Sequence, residues 1–379
     1  MLRINRTTII FLLCFIWLLS TVGCSQLNLI DVPAPPDPFI PPIDLTGEPV
    51  GGGAGYSRIV TSGNIIVSTK AELKNALASA TSGQIIYVSP SAQIDLTGEI
   101  NLAVPAGVTL AGNRGHDGSP GPLIYTTTTT TYPSLFLIRN KNVRFTGIRF
   151  KGPSYNAYNT VGLNLQADNI EVDNCEIYDW SNSGVHIMNA KNAYIHHNNI
   201  HHVQLQGLGY PVCLNNATAL IEGNRFDYYR HAIAGHGNPG TGYEARYNWV
   251  GPNAISHAFD MHGGTDYCPK LGTCTQMQII QAGDYLNIHH NTFMLTNWDA
   301  IKVRGIASQY VNVHDNWFTD TRTAYSFRFY YYYGGNAWVH DNVYGPNKTL
   351  VTELVTPTRN IYDANTKQQV ATFSGSLLK

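Results

Sequence analysis

Four segments in the second half of the chain share one apolar alternation: Ala232-Ile233-Ala234-Gly235-His236, Ala258-Phe259-Asp260-Met261-His262, Ala300-Ile301-Lys302-Val303-Arg304 and Ala324-Tyr325-Ser326-Phe327-Arg328. Alternate side chains of an extended strand point to opposite faces. With Ile233, Phe259, Ile301 and Tyr325 inward, along with Gly235, Met261, Val303 and Phe327, two outward columns remain. One is Ala234, Asp260, Lys302, Ser326; the other is His236, His262, Arg304, Arg328. Earlier segments add Asn164, His186 and Cys213 to the first column, and Gln166, Met188 and Asn215 to the second. Six ionisable groups therefore share one outer face in a chain of which only 13% is charged. Removing a proton from a carbon beside a carboxylate requires a base, a cation to stabilise the enolate and an acid for the leaving oxygen, and this face offers all three. Lys302 or His262 is the candidate base, its pKa lowered by Arg304 and Arg328, which also suit a carboxylate ligand. Asp260 would orient His262 or Lys302, and His236 is the candidate acid. Arg230, His231 and His257 lie at the strand entrances and, with His186 and Arg328, are candidates for substrate binding. The plainer alternative is a solvated face on which Asp260 pairs with Lys302.

A repeated phrase sets the frame that holds these strands. It reads apolar-x-apolar-x-x-Asn-x-apolar, as in Ile195-His196-His197-Asn198-Asn199-Ile200 and Ile288-His289-His290-Asn291-Thr292-Phe293. Its Asn recurs at Asn198, Asn224, Asn248, Asn291, Asn316 and Asn342, with Cys175 and Ile148 in the same slot upstream. A period of this length with strand and turn residues but no helical periodicity predicts a solenoid of stacked coils. The Asn at a tight turn bonds to backbone and to the next Asn, which makes it scaffold. The histidines beside it, His196-His197 and His289-His290, are accordingly expected on the coil surface. The long step from Asn248 to Asn291 marks an insertion near residues 263–282, placed to wall a cleft.

Thr69-Lys70-Ala71-Glu72 is a capping box that predicts a helix over residues 70–80, covering the first coil. Strands are expected at 85–88, 94–96, 108–110 and 124–131, where the threonine run 126–131 is read as strand or exposed loop. The chain has 379 residues, 43% hydrophobic content and a net charge of −1, enough to bury a large core and without the basic stripe that nucleic acid would ask for. Arg3 and Arg6, an apolar run over 9–19 and Gly23-Cys24 read as an export signal over 1–24, with Cys24 the expected lipidation site. That run is too short to span a bilayer comfortably. A Pro- and Gly-rich tether follows over 25–55, ahead of a β-helix domain over 56–379. Cys268 and Cys274 are the expected disulfide, and Cys175 and Cys213 buried free thiols.

The stretches Ser68-Thr69-Lys70-Ala71-Glu72-Leu73, Gly83-Gln84-Ile85-Ile86-Tyr87-Val88 and Val108-Thr109-Leu110-Ala111-Gly112 resemble the capping helix and first coils of the pectate-lyase-like superfamily. The region from Ile288 through Arg304-Gly305 to Phe318 is similar to the part of pectate lyases that holds their catalytic arginine. The resemblance covers most of residues 64–345 and implies an all-β, right-handed, single-stranded parallel β-helix with a short N-terminal capping helix. Pectate lyases carry Arg-x-Pro-x-x-Arg where this chain has Asp299, Ile301 and Arg304, so only the last Arg matches. Their calcium-binding Asp cluster is not evident. Gly235-His236-Gly237 is similar to a polygalacturonase motif, but the Asp-Asp pair of those enzymes is missing. The expected function is β-elimination on a uronic-acid-containing polysaccharide of the pectate or alginate kind. Alternatives are a glycoside hydrolase, for which Asp260 with Asp299, Glu244 and Asp266 are the available carboxylates, a uronate epimerase, and a glycan-binding solenoid. No cofactor is required by the residues, with calcium the one option the resemblance brings. The expected partner is an acidic polysaccharide. The protein is expected to be a monomer, exported and either secreted or lipid-anchored to an outer membrane or cell surface.

Overall fold

A computed structural model describes residues 47–129, 134–263, 281–320, 326–329 and 337–345, and the backbone of four short strands beyond them. The signal sequence with Cys24, most of the tether, and Cys268 and Cys274 of the insertion lie outside the described residues.

Strands of two to six residues are laid into three large sheets of 11, 12 and 8 strands and a two-stranded one, and up to residue 345 successive strands in each large sheet come from successive coils. All pairings within the coils are parallel, which makes the chain a β-solenoid. Its interior is built from vertical columns of like residues. In the first sheet Val172, Ile195, Ile221, Ala245, Ile288, Val313 and Val339 stand one above another, and all are buried. In the second sheet Phe293, Phe318 and Tyr344 stack with ring centroids 5.0 and 5.3 Å apart. β-Branched and aromatic side chains suit this pleated, half-buried setting, and identical spacing lets each coil reuse the previous one's packing.

The first coil is closed as the capping box predicts. The helix Lys70–Ser79 starts at Thr69, whose hydroxyl accepts from Glu72 N while the Glu72 carboxylate accepts from the backbone of Thr69. Leu73, Ala76 and Leu77 are its buried side. The early strands fall at Ile85–Val88, Gln93–Asp95, Thr109–Ala111 and Leu123–Tyr125. Thr127 and Thr128 leave the sheet and bond instead to Thr97 and Gly98.

The recurring Asn forms a buried ladder. Each side-chain amide donates to the Oδ1 of the next, from Asn198 through Asn224, Asn248, Asn291 and Asn316 to Asn342, at 2.9–3.1 Å. Each also donates to a carbonyl one coil back, such as Val172 O, Ile195 O and Ile221 O. The ladder runs from Asn248 to Asn291 without a break, so the stacking is intact across the long step. The residue before each Asn is left-handed: His197 (φ 51°), Gly223 (60°), Tyr247 (55°), His290 (54°), Asp315 (52°) and Asp341 (53°). That conformation is unfavourable for side chains other than Gly, and the fully satisfied amides beside it offset the cost.

The second histidine of each pair is therefore a turn residue. His196 and His197 are nonetheless buried, which corrects the expectation of a surface position. Residues 51–58, the end of the expected tether and its continuation, lie across them. Gly51 N donates to Gly223 O, Gly53 N to Asn174 Oδ1 and Tyr56 Oη to Asp173 Oδ2. A Cβ on Gly52 would come within 2.3 Å of His197 O, so only glycine permits this approach.

Asn248→Ala would remove the side chain that serves Ile221, Asn224 and Asn291 at once. The expected cost is about 3 kcal/mol in urea unfolding, against less for Asn342→Ala, which has no further Asn beyond it among the described residues of the ladder. Equal costs at the two positions would contradict the ladder as a cooperative element.

Candidate functional site

The third sheet carries the predicted cluster. Its outward column runs Asn164, His186, Cys213, Ala234, Asp260, Lys302, Arg328. The inward residues are as expected, with Ile233, Phe259, Met261, Ile301, Val303 and Phe327 buried. One register is corrected: Phe327 pairs with Ile301 and Arg328 with Lys302, so Arg328 belongs to the column of Asp260 and not to that of Arg304. A two-residue slip leaves every side chain on the same face, and alternation alone cannot detect it.

Two carboxylates organise the charges. Asp260 is fully buried, and its Oδ2 meets Arg304 Nη2 at 2.7 Å, His262 Nε2 at 2.8 Å and His257 Nε2 at 3.1 Å. His231 Nε2 stands 3.9 Å from the same oxygen. Asp299, 5% exposed, pairs with Lys302 Nζ at 3.1 Å and with Arg328 Nε. Asp260 thus meets His262, whereas Lys302 is held by Asp299. Burial alone would raise the Asp260 carboxyl; Arg304, then His262 and His257, outweigh it and hold the group well below the usual carboxylate range. An ionised Asp260 is acceptor-only, so His262 and His257 each donate to it through Nε2–H, and His257, lowered by burial to about 4, is neutral with its lone pair at Nδ1.

Asp299 is the organising residue that the sequence columns left out. The register places it at the strand-entrance position shared with His257 and His231, each two residues before a paired inward residue. Extending the four aligned segments by one residue upstream would have exposed His231, His257 and Asp299 as a column of their own.

His231 and His257 are 0% and 4% exposed, so they lie beneath the surface charges and do not line the groove edge expected of them. His231 Nδ1 donates to His257 O at 2.8 Å, and the two rings lie 3.8 Å apart. His236 stacks on His262 with centroids 5.9 Å apart, which keeps it in the cluster. Arg230 turns aside to Tyr210, donating to its hydroxyl at 3.1 Å. His186 lies three strands upstream of the strand holding Asp260, with neither ring nitrogen hydrogen-bonded among the described residues. Cys175 and Cys213 are buried free thiols as read from the sequence.

Two groups among the described residues bring three donors within 4.8 Å: His231, His257 and Asp260, and separately Glu171, Asp173 and His196. The second is already consumed. Arg144 and Tyr56 bind Asp173 at 2.7 and 2.8 Å, Arg58 binds Glu171 at 2.6 Å, and His196 binds it at 3.0 Å. Neither matches the oxygen-rich shell that calcium takes.

A stack of parallel coils with an outward patch of cations set over buried carboxylates defines a parallel β-helix protein. The family described as the right-handed β-helix region matches residues 134–349, and the chain belongs to it. A solved structure described as Geobacillus virus E2 ORF18 is similar at 15% identity and a TM-score of 0.37, over 76% of this chain and 61% of that one. No curated protein matches the chain. The fold is compatible with polysaccharide-active and glycan-binding proteins.

Burial, with His236 adding a smaller push, lowers the His186 imidazole to about 4. The fold therefore holds it neutral, whereas an unfolded histidine protonates near pH 6.5. Its stabilisation is complete above pH 6.5 and is lost as the pH falls toward 4. His186→Leu should remove roughly 3 kcal/mol of that acid-side loss, measured by urea unfolding across the range. An unchanged acid limb would refute the assignment.

Proposed function

We propose that the protein is a polysaccharide lyase that cleaves a uronic-acid-containing polymer by β-elimination, exported and held at the cell surface through Cys24. The observation that carries this reading is the pairing of Arg304 and His262 on one ionised, buried carboxylate, with Lys302 and Arg328 on a second beside it.

The substrate carboxylate binds Arg304 and Arg328, which neutralise the charge that grows on it as the enolate forms. His262, steered by Asp260, takes the proton from the adjacent carbon through Nδ1. The electron pair forms the new double bond as the bond to the glycosidic oxygen breaks. Lys302, ion-paired with Asp299 at the entrance of its own strand, gives a proton to that oxygen, with His236 the alternative donor. Hydrolysis is disfavoured on the same observation. A glycosidase needs one carboxylic acid that stays protonated, while Asp260 is held ionised and Asp299 is engaged by two cations.

Incubation with pectate, alginate and glycosaminoglycans, followed by ultraviolet absorbance, should reveal unsaturated ends on one of them. His262→Ala and Lys302→Ala should each lower kcat by about 100-fold or more with unchanged melting curves. Saturated reducing ends would replace this reading with hydrolysis, and near-wild-type turnover in both variants would remove the site.

A further inference from the structure

The second layer beneath the surface charges has a donor arrangement that ion pairing does not use up. His231 Nδ1 donates to a carbonyl, His257 O, which can only accept, so the ring carries its lone pair on Nε2. That nitrogen is fully buried and has no hydrogen-bond partner among the described residues, and it stands 3.9 Å from Asp260 Oδ2. Asp260 Oδ1 is likewise buried and unpartnered, although the carboxylate is ionised. His257 Nε2 completes the set, 3.1 Å from Oδ2. A buried, unpartnered lone pair beside a buried carboxylate that has an unpartnered oxygen is costly unless something positive lies at the site.

We propose that His231, His257 and Asp260 bind one divalent transition-metal ion of the zinc class. Two donors that share an ion at roughly 2.1 Å lie up to about 4.2 Å apart, and the 3.1 and 3.9 Å separations fall inside that limit. Two imidazoles and one carboxylate suit zinc, cobalt or nickel, and disfavour calcium and magnesium. The Nδ1–H···O=C bond of His231 is the outer contact that orients a metal-binding histidine. Binding requires the other tautomer of the neutral His257 ring: the proton leaves Nε2, where the ion takes its place, and returns at Nδ1, beside Ser256 Oγ at 3.2 Å, so no net proton is released. Asp260 serves two tasks: its carboxylate closes the site beside His231 and His257, while Oδ2 also keeps Arg304 and His262 on the solvent side. Arg304 Nη2 lies 3.3 Å from His257 Nε2. The cation–cation repulsion this introduces is borne by the carboxylate between them. Any part the ion plays in turnover rests on the elimination reading, whereas its binding does not.

The purified full chain, stripped with a chelator and dialysed, is titrated with Zn²⁺ by calorimetry and with Co²⁺ by visible absorption, without substrate. One equivalent should bind, with cobalt bands of nitrogen and oxygen ligation, and Ca²⁺ in excess should not compete. His231→Gln and His257→Gln should each weaken binding at least tenfold. Glu171→Gln, in the other donor cluster, and His314→Ala, in the ring stack of His289, His314 and His340, should leave it unchanged. Melting curves on each variant separate loss of the site from loss of the fold. Absence of saturable binding, retention in both histidine variants, or loss in either control would overturn the proposal. Unsaturated products with no metal bound would leave the lyase reading standing alone, and metal bound without products would do the reverse.

Discussion

The buried asparagine ladder is the interaction on which the rest depends. Each coil must turn sharply between its first and second sheets, and it does so through a left-handed residue that is costly wherever it is not glycine. The Asn that follows bonds to the turn of the next coil and to a carbonyl of the previous one, so the turn is held by its neighbours on both sides. Slipping one coil would leave several buried amides unpaired together, at one to three kcal/mol each by the usual order of magnitude. This locks the vertical register of all three sheets, including the sheet that carries the charged cluster.

That rigidity is what allows a buried carboxylate at Asp260. Taking an isolated anion out of water costs several kcal/mol after relaxation, and the cost is offset only if its partners are already in place. Arg304 comes from the next strand, His262 from the same strand and His257 from its entrance, so three separate backbone positions converge on one oxygen. A scaffold free to shift by even an ångström would lose that convergence. Asp299 repeats the logic one strand along, with Lys302 and Arg328. The half-buried cations are thus each anchored from below, which orders them in advance.

Much of this was legible in the residues. The Asn spacing revealed the coil period, the capping box located the helix, and period-two alternation sorted the third sheet into inward and outward faces, because each depends on a local rule that acts within a few residues. The insertion was visible as one long step, and the ladder that spans it follows from the same marker on either side.

The sequence by itself thus determined the solenoid, its covered first coil and the set of ionisable residues that share one face, since stacking similar coils turns a linear period directly into a spatial column. Tertiary structure alone decided the pairings. Whether Lys302 meets Asp260 or Asp299 depends on strand-entrance geometry, and whether Arg328 aligns with Lys302 or Arg304 depends on a two-residue register that no alternation pattern can distinguish. Burial of His196 and His197 was equally hidden, because what covers them is a glycine-rich segment well over a hundred residues upstream, brought there by long-range packing. Local pattern specifies which face a side chain takes; the identity of its partner is set by the three-dimensional stack.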